Sequence, residues 1–312
     1  AEDNDEGKCF GGSARLKSAI DAARARSTNS ILVDGGDQFQ GTLFYTYYKG
    51  AAAAEMMNRM GYDAMTVGNH EFDDGPEVLR DFVNAVEFPI LMSNADVSRE
   101  PLLSDVIQKS VVVEKGGERI GLIGLTPQDT DELASPGPNV IFTDPSDAVQ
   151  NEVDKLTGMG VNKIVVLSHS GYATDNVIAL NTTGVDLIVG GHSNTFLSNT
   201  DEDADGPYPD MVNGVPIVQA YAYGKYLGEL VITFTDARAF SGLRFRHTLK
   251  RPAIQALPGS VFHRQLHSCQ CIHQCVYCRL RILATAGICI MVSPFSPAQC
   301  GIIHRCKGLV SI

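Results

Sequence analysis

The sequence predicts an α/β fold in which helices cover the faces of a sheet. Three observations carry this prediction: brief apolar segments alternate with helical segments, polar clusters stand where the apolar segments end, and the pattern changes to a hairpin after residue 110.

The elements follow in order. Gly12 to Arg26 reads as a helix, with Leu16, Ala19 and Ile20 on one face and Arg15, Lys17, Arg24 and Arg26 outside. Ile31-Leu32-Val33 is a short strand that ends at Asp34-Gly35-Gly36-Asp37, and residues 50 to 60 form an Ala- and Met-rich helix whose Met56, Met57 and Met60 are expected to pack in the core. Ala64 to Val67 is the next strand, followed by Gly68-Asn69-His70-Glu71. A helix over 76 to 86 and a strand over Pro89 to Met92 come next. Val111-Val112-Val113, a turn at Lys115-Gly116-Gly117-Glu118, and Ile120 to Leu125 make the hairpin. Asp147 to Met159 is a helix. Strands Lys163 to Leu167 and Val185 to Val189 end at Ser168-His169-Ser170-Gly171 and Gly190-Gly191-His192-Ser193-Asn194. Strands at 215 to 220 and 229 to 235 close the pattern, and from about 258 the alternation stops.

Composition narrows the function classes. The chain has 312 residues, 44% of them hydrophobic, with a net charge of -11, so it is long enough to bury a substantial core. No Asp or Glu follows Asp236, which makes the first part of the chain more acidic than the net figure suggests, and such a surface repels nucleic acid backbones. No apolar run reaches the length of a transmembrane segment, and the acidic stretch after Ala1 is not a signal peptide. A first residue other than Met points to a processed or truncated chain. Of the 8 cysteines, Cys9 stands alone and the rest lie between Cys269 and Cys306.

Chemistry in α/β folds collects beyond the carboxyl ends of the strands. Four such ends deliver Asp37, Asn69-His70, His169, and His192 with Asn194. Carboxylate, carboxamide and imidazole together suit zinc, manganese or related divalent ions without any cysteine. A carboxylate can bridge two ions that hold a nucleophilic water and clamp a phosphoryl group, and Asp37 is the natural bridge. Asp34 is read as a turn aspartate that braces the loop. His70 and Asp73, three apart, are read as an acid and electrostatic dyad in which the carboxylate fixes the imidazole tautomer.

Gly36-Asp37-Gln38-Phe39-Gln40-Gly41-Thr42, Tyr48-Lys49-Gly50, Gly68-Asn69-His70-Glu71-Phe72-Asp73, Ser168-His169-Ser170-Gly171, Gly190-Gly191-His192-Ser193-Asn194-Thr195-Phe196 and Gln219 to Gly228 together resemble the catalytic domain of the animal ecto-5'-nucleotidases, over about residues 9 to 250. The resemblance implies a four-layer αββα metallophosphoesterase sandwich and two divalent ions, expected to be zinc. It also implies hydrolysis of nucleoside 5'-monophosphates, AMP to adenosine and phosphate, at the cell surface or outside the cell. In that family the counterpart of Asp37 bridges the metals, those of Asn69, His169 and His192 complete the second site, that of His70 contacts phosphate and is oriented by the match to Asp73, and Asn194 matches an amide near the first metal.

The departures set further expectations. The family begins with a strand ending in Asp-x-His, whose two residues are ligands of the first metal. Here Gly11 to Leu16 already matches the helix after that strand, so the N-terminal strand is expected to be missing, only the second metal site complete, and turnover by this chain small. The family's C-terminal domain, which stacks the base and through which full-length relatives dimerise, has no match after Pro252, so base specificity is not expected to be encoded here. The chain therefore divides into an incomplete catalytic domain, 1–257, and a cysteine-rich tail, 258–312, expected to be without evolved structure rather than a zinc site or a disulfide cluster. An apyrase-like or cyclic-phosphodiesterase enzyme is one alternative function, and an inactive truncated or splice-variant product is another. Asn181-Thr182-Thr183 is an acceptor triplet for N-glycosylation, and Asp201 to Asp205 is a solvated acidic loop rather than a calcium site.

Overall fold

The computed structural model describes residues 10–234 together with the strands Phe240–Thr248, Tyr277–Leu280 and Ile288–Val292. The expectation for the N-terminal strand falls on residues outside this set, and the expectations for zinc or disulfides in the cysteine-rich tail fall on side chains outside it.

The first half builds one helical layer and one sheet. Helix α1 (Ser13–Arg24) turns Leu16, Ile20 and Ala23 inward, the i, i+4, i+7 spacing of a single buried stripe. Strand β1 (Ile31–Asp34) is buried along its whole length. A short helix, α2 (Leu43–Tyr48), is capped by the Thr42 side chain, which accepts a hydrogen bond from Phe44 N. Helix α3 (Ala51–Met60) buries Ala54, Met57 and Met60 and stops at Gly61, whose φ of 70° is left-handed. Strand β2 (Ala64–Thr66), helix α4 (Gly75–Ala85) and strand β3 (Ile90–Leu91) complete the unit, with β1, β2 and β3 parallel.

The second half adds β4 (Ala95–Asp96), the hairpin β5 (Ser110–Lys115) and β6 (Glu118–Leu125), and a single helical turn, α5 (Thr130–Leu133). It continues with β7 (Ile141–Phe142), paired with β4, then α6 (Pro145–Gly158), β8 (Ile164–Ser168), α7 (Tyr172–Asn181), β9 (Leu187–Gly190), β10 (Asp210–Val212), β11 (Val215–Gln219) and β12 (Leu227–Phe234). One sheet has the order β10-β11-β9-β8-β6-β5, with β6, β8, β9 and β11 parallel and only its edges antiparallel. The other contains β3, β2 and β1 at one side and β12 paired with β13 (Phe240–Thr248) at the other. Between β1 and β12 lie β14 (Tyr277–Leu280) and β15 (Ile288–Val292), and β15 runs parallel to β1 with Ile31 opposite Ile290. Two strands from the stretch expected to lack evolved structure thus enter the sheet, and the expected end of the alternation near 258 lies outside the described residues.

Three apolar clusters define the layers. Ile31, Val33, Ala64 and Leu91 of one sheet meet Ile120, Leu122, Val165, Leu167, Leu187 and Val189 of the other, so the sheets pack face to face. The outer face of the first sheet is covered by α1, α3 and α4 through Leu16, Ile20, Met57, Met60, Leu79 and Phe82. The outer face of the second is covered by α6 and α7 through Val149, Val153, Leu156, Ile178 and Ala179. This is the four-layer αββα sandwich that the resemblance implied.

Helices α2, α5 and α7 and strands β4, β7, β10, β13, β14 and β15 are additions to the elements read from sequence. Helix α7 was hidden because its apolar residues face both ways: Ile178 and Ala179 are buried while Val177 and Leu180 are exposed, so no single stripe emerges. Among the described residues no helix is long and apolar enough to cross a membrane.

Candidate metal centre

Each candidate ligand sits where a buried parallel strand runs out. Strand β1 ends at Asp34, and the chain then turns sharply enough that Gly36 and Asp37 both take positive φ, 92° and 62°. His169 follows β8 directly, with its backbone N–H donating to Leu125 O at the end of β6. His192 and Asn194 follow β9, and they too adopt positive φ, 66° and 52°. Non-glycine residues rarely occupy this region, and those that do cluster at sites where the surrounding structure over-determines the backbone.

These ends bring Asp37, His169 and His192 together, with one ligand atom from each lying within 4.8 Å of the others. Among the described residues this is the one such group of His, Cys, Asp or Glu side chains. Asn69 joins them, its Oδ1 lying 3.0 Å from His192 Nδ1. Asn194 Oδ1 is buried without a hydrogen-bond partner. His70 Nδ1 lies 2.7 Å from Asp73 Oδ2 on the one-turn helix His70–Phe72 and its cap. Asn181 is exposed at the end of α7, away from these strand ends.

The arrangement suits a cation. His169 Nδ1 is 2.5 Å from Gly35 O, which makes that nitrogen the N–H donor and leaves Nε2 as the lone pair. That lone pair lies 2.8 Å from the Asp37 carboxylate, and Nε2 is buried with no hydrogen-bond partner of good geometry. Two electron-rich atoms so close require a positive charge between or upon them. A divalent ion satisfies both, along with the Asn69 carbonyl beside His192, and the oxygen and imidazole donor set is one that zinc and manganese accept.

The electrostatics agree. Burial alone would raise the Asp37 carboxyl, but the neighbouring His169 and His70 outweigh it and hold the group below its ordinary range. Burial would lower both His70 and His169, yet the Asp37 charge, together with Asp73 at His70, drives both upward. His192 goes the other way, pushed down by burial and by His169, so it stays neutral and able to ligate.

Three supporting residues were not singled out as site residues in the sequence. Glu71 is fully buried, and burial plus the charge of Asp37 push its carboxyl up to about 7. Gln219, at the end of β11, accepts from Thr195 N and donates from Nε2 to Gly191 O, 3.0 Å away, so it grips the loop carrying His192 and Asn194. Asp175 on α7 is also fully buried; neither oxygen has a hydrogen-bond partner of good geometry, and burial lifts its carboxyl to about 7, with Ser168 and His169 opposing. A Glu beside Phe72 and an Asp within an unpatterned helix carry no periodic cue for burial. Asp34 does brace its loop, accepting from Gly36 N at 3.0 Å and from the Gln38 side chain at 2.9 Å. A cavity of 510 Å³ opens beside His192, lined in part by Gln128, Asp129, Asp131, Glu132 and Ser170.

Known proteins share this framework. The chain is 48% identical over 246 residues to the 5'-nucleotidase of Diplobatis ommata, covering 74% of this chain and 43% of that protein. It is 44% identical over 242 residues to the 5'-nucleotidase of Homo sapiens, covering 73% of this chain and 42% of that one. Among solved structures, the 5'-nucleotidase precursor from Thermus thermophilus superposes with a TM-score of 0.74 at 43% identity, covering 77% of this chain and 49% of that one. The NAD nucleotidase of Haemophilus influenzae gives 0.71 at 28% identity, covering 76% and 44%. The chain spans less than half the length of these relatives. Residues 5–196 match the family described as calcineurin-like phosphoesterase, and with the sandwich and the strand-end cluster in place the chain belongs to that family.

Proposed function

We propose that this chain carries the catalytic layer of a metal-dependent phosphomonoesterase of the 5'-nucleotidase type, which hydrolyses nucleoside 5'-monophosphates to nucleoside and phosphate. The observation that carries this reading is the convergence of Asp37, His169 and His192, with Asn69 beside His192, from four separate strand ends. Asp37, Asn69, His169 and His192 hold the metal in this reading, zinc being the favoured ion, and Asn194 stands by a second one. Bound there, a divalent ion supplies Lewis-acid charge and lowers the pKa of water.

The protein's own residues do the rest. Asp37 remains ionised, and the Gly35 carbonyl keeps the His169 lone pair on Nε2. Hydrolysis forms a bond from water oxygen to phosphorus and breaks the ester bond, leaving an alkoxide that needs a proton. His70, whose imidazole the neighbouring Asp37 and Asp73 carboxylates push above its ordinary value, is the group beside the cluster able to stabilise phosphate charge and deliver that proton. The acidic lining of the neighbouring cavity, Asp129, Asp131 and Glu132, repels additional phosphates, which favours a monophosphate over the polyphosphate substrates of an apyrase-like enzyme.

Phosphate release from AMP, with zinc or manganese added and removed by chelator, tests the reading. Turnover that depends on metal and prefers AMP to ATP supports it; metal-independent release, or a preference for ATP, sinks it. One observation favours a second reading, binding without appreciable turnover: the described residues hold a single cluster rather than two. One ion per chain with no phosphate release would establish that alternative. An extracellular setting and glycosylation at Asn181 belong to the same proposal, supported by an exposed acceptor triplet at the end of α7, and mass spectrometry of the secreted chain checks both.

A further inference from the structure

Glu71 has no assigned part in the chemistry, yet its carboxylate is the meeting point of two ligand-bearing loops. Oε2 accepts from Asp37 N at 2.8 Å and from Gly68 N at 2.6 Å, while Oε1 accepts from Gln38 N at 2.6 Å and from Phe39 N at 3.2 Å. Three of these amides belong to the loop after β1 and one to the loop after β2. The link is reciprocal, because Asp37 Oδ1 in turn accepts from His70 N at 3.0 Å. Each loop thus donates a backbone amide to a carboxylate of the other.

The reciprocity has a steric counterpart. A Cβ added at Gly68 would sit 2.3 Å from Asp37 Oδ1 and 2.6 Å from Asp37 N, and one at Gly36 would sit 2.8 Å from both Gly68 N and His169 Nδ1. The two loops touch backbone to backbone, with no side chain available to fill or adjust the gap. Asp37, Gln38, Phe39 and Gly68 would otherwise present several buried N–H groups without helix or sheet partners, and a single acceptor with two oxygens satisfies them all.

The geometry points to Glu71 as a positioning residue: a buried carboxylate that clamps the Asp37 loop to the Asn69–His70 loop and so sets the spacing of candidate metal ligands before any ion arrives. It touches neither substrate nor metal in this assignment and acts through Asp37 and Asn69. The inference rests on the phosphoesterase reading for the use made of the ion, but the clamp itself concerns metal affinity.

The test is calorimetric titration of the full chain with zinc alone, for wild type, Glu71→Gln, Glu71→Asp and Leu156→Ala. The last is a core truncation in α6 that lowers stability without touching either loop. Glu71→Gln turns an NH2 group toward two amide donors and is expected to weaken zinc binding by about 10–100-fold, the range for lost supporting contacts at metal sites. Glu71→Asp keeps both acceptor oxygens and recovers part of that loss, and Leu156→Ala keeps wild-type affinity despite its lower melting temperature. Zinc affinity unchanged in Glu71→Gln, Asp faring no better than Gln, or an equal loss in Leu156→Ala overturns the clamp. Should the Glu71 variants not fold, amide exchange of wild type decides: slow exchange at Asp37, Gln38, Phe39 and Gly68 together supports it, and loop-like fast exchange at them refutes it. A wild-type chain that binds zinc but leaves AMP intact sinks the functional reading and leaves the clamp standing; one that binds neither zinc nor manganese overturns both.

Discussion

His70 Nδ1 and Asp73 Oδ2 lie 2.7 Å apart, within one turn of chain that follows a candidate metal ligand. The pairing, with the nearby Asp37 charge, more than offsets burial and raises the imidazole pKa. Because the folded value is raised, the pair adds stability that is full below the ordinary imidazole pKa and is lost as pH climbs through the raised one. Asp73→Asn should therefore move the His70 midpoint downward in an NMR titration of metal-free protein. An unmoved midpoint would show that Asp73 does not govern the ring.

The ligand cluster makes a prediction about metal itself. Zinc at a hundredfold excess over its dissociation constant should stabilise the fold by about 2.7 kcal/mol, raising the melting temperature by roughly 5–10 °C. Chelator should reverse the shift. His169→Ala, which removes a fully buried donor of the cluster, should abolish the zinc-dependent shift while leaving a cooperative transition. A zinc shift of wild-type size in that variant would place the ion elsewhere.

Gly68→Ala tests how closely the loops approach. The φ of Gly68 is ordinary, so an alanine there brings no backbone penalty, only a methyl 2.3 Å from Asp37 Oδ1. The expected destabilisation is about 1–3 kcal/mol, the usual cost of overpacking, accompanied by loss of zinc binding. Gly158→Ala, whose Cβ meets nothing, should be neutral or stabilising in the same denaturant titration.

Asp175 predicts an unusual pH dependence in the metal-free protein. Its folded pKa is raised to about 7, so the group's contribution is full below its unfolded value of 3.8 and falls as pH rises towards 7. That decline is about 1.4 kcal/mol per pH unit. Asp175→Asn should flatten this part of the stability profile, and the gap between variant and wild type should widen from pH 4 to pH 7. Parallel profiles would mean that the carboxyl does not titrate as its burial requires.

Much of this architecture was legible in the sequence because the strands that carry the site are buried on both faces. Ile31 to Val33, Lys163 to Leu167 and Val185 to Val189 read as apolar runs, and the residue after each run is forced to the rim of the sheet. Polar residues at those rims, flanked by glycine, gave the candidate ligands, and Asp73 followed from its three-residue spacing to His70. The support beneath them was not legible. Glu71, Asp175 and Gln219 act through burial and backbone contacts set by tertiary packing, which leave no period in the sequence. Helix α7 was missed because Val177 and Leu180 lie on its solvent side, and β15 was missed because its partner β1 is more than two hundred residues away.

The left-handed backbone at Asp37, His192 and Asn194 bears on how freely this protein can change. A substitution at any of the three must satisfy two unrelated tests at once: a donor atom in the right place, and tolerance of a conformation that branched and bulky side chains resist. Glycine passes the second test and fails the first; glutamate or glutamine keeps a donor but strains the turn. The centre is therefore brittle towards single amino-acid replacement, and a route to a different ligand set would need the loops reshaped before the donors are exchanged.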